Sequence, residues 1–252
     1  MRLRPAELLL QELGVTEPNE IDLEAIAFYV NAHVRNGFLD GCEAQIVGSA
    51  DKAIITVNQS SPRRRKRFSI AHELGHWHHH RGRRLTCRVE AYRPRSASPE
   101  RTADSYAADL LMPRHLFHPL VEQQKRLDFA AIKFLAEEFD VSLTATAIRA
   151  TESDHSPVML VCHGHSGRKW FARAPSVSER WFPQSQLDSD SFAYDVQFGS
   201  EPDGKWLRKI DADAWFDRRD AGRFELLEQT ITVGPDETLT LLVFTDEEML
   251  DD

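Results

Sequence analysis

The sequence predicts an α+β chain: a mostly helical core with a small sheet, a helical hairpin, and a C-terminal α+β domain. Three observations carry this prediction. Apolar residues recur at helical spacing in several segments between Pro5 and Ala150. Two short runs rich in β-branched residues, "AQIVGS" and "KAIITVN", interrupt those segments. Beyond Pro157 the pattern changes to strand-like runs, "VMLVCHG" and "TLTLLVFTD", with Trp170, Trp181, Trp206 and Trp215 between them. The expected boundaries are 1–125, 126–152 and 155–252, and 252 residues suit one large or two modest domains.

Taken in order, "PAELLLQELG" reads as a helix ended by Gly14. "IDLEAIAFYVNAH" repeats the pattern, with Leu23, Ile26, Ala27 and Val30 on one face. The two β-branched runs form a hairpin turning at Ala50-Asp51. A third helix lies in "SSPRRRKRFSIAHELGHWHHH", with Ser61-Pro62 at its approach and Ser69 a candidate N-cap. Pro99 suits the first turn of the next helix, which stops at Pro113. "DFAAIKFLAEEFDVSLTATAIRAT" holds two amphipathic helices joined near Asp140-Val141-Ser142, with Ser142 as cap, in helix-turn-helix fashion. Its second helix carries only Arg149 as a basic residue, so an ordinary hairpin covering the core is the simpler reading. "TESDHSP" reads as a linker, and the acidic "TDEEMLDD" as a frayed tail.

Composition bounds the function. Hydrophobic content of 41% with 28% charged residues fits a water-soluble globular chain. No window approaches the roughly 18 consecutive apolar residues that cross a bilayer, so no membrane partner is expected. The N-terminus reads as a helix and not as a signal peptide. Cys42, Cys87 and Cys162 are few and far apart, which points to a reducing cytoplasm and away from a disulfide framework. The net charge of −9 conceals an asymmetry: residues 62–101 hold twelve basic and three acidic side chains, a local +9 that leaves −18 elsewhere. That basic block could face nucleic acid, an acidic substrate, or the chain's own acidic remainder.

"HELGH" lies inside this block. On a helix, His72 and His76 stand on one face and can share a zinc ion. Glu73 points about 100° around the helix, reaching a water beside the metal without taking a ligand position, as a general base must. Gly75 would keep the approach open, while Ile70 and Leu74 bury the opposite side. A catalytic site needs a third protein ligand. Glu100, in the first turn of the next helix, is the best candidate. Asp104, one turn on, is placed to accept the free N–H of a ligand histidine. Tyr92, Tyr106, His115 and His118 are candidate oxyanion donors. Consecutive His78, His79 and His80 diverge around the helix and read as an exposed helix end. Trp77 reads as packing.

"RRRKRFSIAHELGH" followed by "ERTADSYAADLLMP" resembles the ImmA/IrrE-type metallopeptidases over Pro5 to Ala150, and "AIITVN" resembles the strand before their zinc helix. The resemblance implies a gluzincin-like core with His72, His76 and Glu100 on zinc, or on manganese in its place. It also implies an endopeptidase that cleaves a protein partner, a helix-turn-helix transcriptional repressor, so releasing stress, DNA-damage or mobile-element genes. A sensor-like C-terminal domain occurs in some members. Asp104 departs from the family, where Asn is commoner; it can still bond a histidine. The rival reading is a DNA-binding regulator or a protein-binding module with a structural or inactive metal site, supported by "RRRKR" and "RGRR".

Overall fold

The first helix, α1 (Pro5–Glu12), starts at a proline whose fixed φ suits a first helical turn. It ends before Gly14, whose φ of 72° takes the left-handed turn that follows. This computed structural model describes residues 3–49, 51–81, 99–199 and 201–250. Cys87, Tyr92, the "RGRR" residues after Arg81, and Ala50 of the expected turn lie outside them.

Helix α2 (Leu23–Tyr29) is capped by the Asp22 carboxylate, which accepts from the N–H groups of Glu24 and Ala25. It stops four residues short of the expected end. Asn31, at φ 61°, turns the chain into β1 (Ala32–Gly37), a strand whose first two residues fall within the expected helix and whose remainder the sequence did not predict. β1 runs parallel to β3 (Ala53–Asn58), and β2 (Ala44–Gly48) pairs antiparallel with β3, giving the order β1-β3-β2. Ile46 and Ile55 sit directly opposite in the β2–β3 register and are both buried; α3 (Arg63–His79) packs against this sheet.

α3 begins directly after Pro62, so Ser69 is not an N-cap but a buried residue in mid-helix. Arg and Lys are good helix formers, and they extend the helix upstream of the apolar run. Five cations at a helix N-terminus oppose its dipole. The fold answers with carboxylates: Asp140 lies 2.8 Å from Arg63, 3.4 Å from Arg64 and 3.5 Å from Arg67, and Glu43 lies 3.8 Å from Arg65. Of the three faces open to the basic block, its first half meets the chain's own acidic residues.

α4 (Pro99–Leu111) and α5 (Arg114–Glu122) follow. α1 is bolted to both. The buried Glu7 carboxylate accepts from Arg114 at Nε (2.8 Å) and Nη2 (2.6 Å), and from the Arg114 N–H at the start of α5 (2.9 Å). Arg4 donates from Nη1 to both oxygens of Asp109 on α4 (3.0 and 3.1 Å). Burial raises the Glu7 pKa, but the bonds from Arg114 and Arg4 outweigh it and hold the carboxyl at about 2.

α6 (Phe129–Glu138) and α7 (Leu143–Glu152) form the expected hairpin, with Asp140 at its turn in a left-handed conformation (φ 50°) and α7 starting just after Ser142. Contacts group Met1–Leu120 with Ala136–Ser142, and Val121–Leu135 with Leu143–Asp252. The second unit holds an antiparallel sheet, ordered β5-β4-β8-β7-β6. Its strands are β4 (Val158–Gly164), β5 (Gly167–Arg173), β6 (Arg208–Asp211), β7 (Glu225–Gly234) and β8 (Glu237–Phe244). The two strands foreseen in sequence are β4 and β8; they pair in the middle of this sheet, Val158 opposite Val243. A short helix, α8 (Phe192–Phe198), packs on β7.

Trp181 and Trp215 are core residues, whereas Trp206 is exposed. The acidic tail is not frayed over its described length. Met249 is buried and its carbonyl accepts from the Trp181 indole N–H (2.7 Å), which orders a single 3-10 turn, Glu247–Met249. Among the described residues no helix is long and apolar enough to cross a membrane.

Candidate metal centre

α3 and α4 build the site between them. The four-residue spacing of His72 and His76 stacks their rings along α3, with Nε2 atoms 3.0 Å apart. Glu100 rises from the first turn of α4 and brings Oε2 to 3.3 Å from His72 Nε2 and 3.4 Å from His76 Nε2. Both histidines are buried, while the Glu100 side chain is half exposed. Asp104, one turn along α4, holds Oδ1 2.8 Å from His72 Nδ1. The structure thus places His72, His76, Glu100 and Asp104 side by side between α3 and α4.

This donor set fits a divalent cation. Asp104 is an acceptor, so the His72 proton sits on Nδ1 and its Nε2 presents a lone pair. That lone pair then faces a second imidazole nitrogen and a carboxylate oxygen. Such a cluster of acceptors is repulsive until a cation joins it. The three ligand atoms all lie within 4.8 Å of one another.

Glu73 gives a second sign. It is fully buried, and among the described residues neither carboxylate oxygen has a hydrogen-bond partner. Leaving a buried acceptor unmet costs about 1–3 kcal/mol, more for a charged group. Burial, opposed by His72 and reinforced by Glu100, pushes its carboxyl up to about 7. Burial is also the largest influence on His76, which with His72 nearby is held down at about 4. At His72 burial is outweighed by Asp104, and the net direction is upward.

Gly75 has a different role from the one its position suggested. A Cβ there would meet the Ala103 backbone, at 2.8 Å from Cα and 2.9 Å from the carbonyl oxygen. The glycine therefore permits the close crossing of α3 and α4 that brings Glu100 to the histidines. Gly75→Ala is expected to force the helices apart, lowering stability by about 1–3 kcal/mol in thermal unfolding of the metal-free protein.

Ile70 and Leu74 are buried on the far side of α3, and Trp77 is core, its indole N–H donating to Val30 O at 2.7 Å. Tyr106 is buried and stacks on His78 (5.1 Å, 25°); burial pushes its phenol up to about 12. His115 and His118 lie on α5, outside the cluster. Of the histidine run, His78 and His79 are exposed as expected, but His80 is not simply solvated: its Nδ1 lies 3.4 Å from His76 Nδ1. Its spacing of four from His76 was the signal for that contact.

Residues 32–151 match the sequence family described as the IrrE N-terminal-like domain, a family of peptidases. No curated protein gives a significant match. Among solved structures, a Mycobacterium tuberculosis transcriptional regulator is similar in fold, with a TM-score of 0.59 at 15% identity over 95% of this chain and 74% of that one. The stretch that resembles the IrrE N-terminal-like domain of these peptidases therefore includes α3 and α4, the two helices that build the site.

Proposed function

We propose that this chain is a zinc-dependent endopeptidase that cleaves a partner transcriptional repressor. One observation carries the reading: His72 Nε2, His76 Nε2 and Glu100 Oε2 converge within 3.4 Å beside the Glu73 carboxylate, which has no hydrogen-bond partner among the described residues. His72, His76 and Glu100 would hold the ion. Bound there, zinc supplies Lewis acidity that acidifies a water and polarises the scissile carbonyl.

The remaining steps belong to the chain. Glu73 takes, at a carboxylate oxygen, the proton that the attacking water gives up. It then delivers that proton to the departing amine nitrogen. Its burial, with no hydrogen-bond partner among the described residues, suits it to this exchange. Asp104 holds the His72 ring in one tautomer. Manganese in place of zinc would use the same three ligands.

The choice of substrate rests on the family resemblance and on the printed name of the Mycobacterium neighbour, itself a transcriptional regulator. The pairing of Arg63, Arg64 and Arg67 with Asp140, and of Arg65 with Glu43, leaves less free charge for phosphate contacts and favours an enzyme over a DNA-binding regulator. Coexpression with a co-encoded helix-turn-helix repressor, followed by mass spectrometry of the repressor, tests the proposal. A single cleaved product is expected with the wild-type chain. An intact repressor, with DNA retention that falls with salt and ignores Glu73→Gln, would favour the DNA-binding reading.

A further inference from the structure

Among the described residues, His76 has no carboxylate at Nδ1 such as Asp104 gives His72. The two ligand histidines are alike in burial and in the direction of Nε2, yet Asp104 serves only His72. If Nε2 of His76 faces the ion with its lone pair, the ring proton must sit on Nδ1. A buried N–H requires an acceptor, because an unmet donor costs about 1–3 kcal/mol. Among the described residues, the group within reach of His76 Nδ1 is Nδ1 of His80, at 3.4 Å.

We infer that His80 is a positioning residue for the metal centre, accepting the Nδ1–H of His76 as Asp104 accepts that of His72. The inference rests on the reading of His72 and His76 as metal ligands. Its geometry has three independent supports. The backbone N–H of His80 donates to His76 O at 2.8 Å, which fixes His80 one turn past the ligand at the helix end. The two rings lie 5.4 Å apart at 47°, close enough for the nitrogens to meet. His80 is half-buried where its neighbours His78 and His79 are exposed. Contact through Nδ1 of His76 places His80 on the side of that ring away from the Nε2 cluster, so it supports a ligand and does not replace one.

The arrangement makes the site asymmetric. A carboxyl group serves one histidine and an imidazole the other. Partners of this kind fix ring orientation and tautomer, and their loss weakens metal binding by about 10–100-fold.

Three variants test this through zinc affinity, measured by competition with a chromophoric chelator on the full chain. His80→Phe keeps the ring volume and removes the acceptor. His80→Asn discards the ring and can place an amide oxygen near the Nδ1 position. His78→Asn is the control for a neighbouring histidine with no bond to a ligand. The inference expects zinc to bind about 10–100-fold more weakly in His80→Phe, with wild-type stoichiometry, to recover most of its affinity in His80→Asn, and to be unchanged in His78→Asn. Wild-type affinity in His80→Phe would overturn it. So would equal weakening in His80→Phe and His80→Asn, which would mark His80 as a packing residue. A wild-type chain that binds no zinc would overturn the proposed function as well. One zinc per wild-type chain, indifferent to His80, would overturn this inference alone.

Discussion

Replacing Glu73 by Gln is expected to abolish proteolysis while leaving the metal in place. The two side chains have nearly the same shape, and Glu73 is not a member of the His72–His76–Glu100 cluster. What the substitution removes is a carboxylate able to take a proton and give it back. General-base contributions of this type are worth about 10²–10⁴-fold in rate. The variant is therefore expected to cut the repressor at least about a hundredfold more slowly and to retain wild-type zinc content. Removing the buried charge also relieves a carboxylate with no hydrogen-bond partner among the described residues, so the variant should unfold at a temperature no lower than the wild type's. Full activity in Glu73→Gln would remove the general base from the account.

The second large effect concerns stability and acid. The buried Glu7 carboxylate, held at about 2, ties α1 to the start of α5. The folded pKa lies below the ordinary value of 4.5, so the contribution is fully present above about pH 4.5 and is lost as pH falls towards 2. The gap between those values corresponds to about 3 kcal/mol. Glu7→Gln keeps the shape but removes the charge, and leaves Arg114 mostly buried beside a neutral amide. Denaturant unfolding of the metal-free protein is expected to place the variant about 2–3 kcal/mol below the wild type at pH 7. The difference between the two should shrink below pH 4.5 and be nearly gone by pH 2. A difference that stayed constant across that range would show that the ion pair is not its source.

The cluster was legible in sequence because helix geometry does the placing. Spacing of four puts His72 above His76, and spacing of four puts Glu100 beside Asp104; two helices then have only to cross. What let them cross was not legible. Gly75 reads as open space in a string of letters, and its contact with Ala103 exists only once α4 has folded back. β1 was missed for a related reason. Its outward positions, His33 and Arg35, are polar, its apolar alternation is short, and it is specified by parallel pairing with a strand some twenty residues on. The tail was misread because acidic composition argues for solvation, whereas the order comes from Trp181, far away in sequence. Ser69 looked like a cap because the helix was expected to begin at its apolar face. The basic turn before it is stabilised by Asp140, on another element, which no local rule supplies. In each case the local pattern was sound and a distant partner decided the outcome.

Metal content of the purified full chain tests the central claim most directly, with wild type beside His72→Ala and Glu100→Ala. The account predicts one zinc per wild-type chain and its loss in both variants, since each removes one of three protein ligands. No metal in the wild type when zinc is supplied, or an undiminished zinc content in either variant, would contradict it.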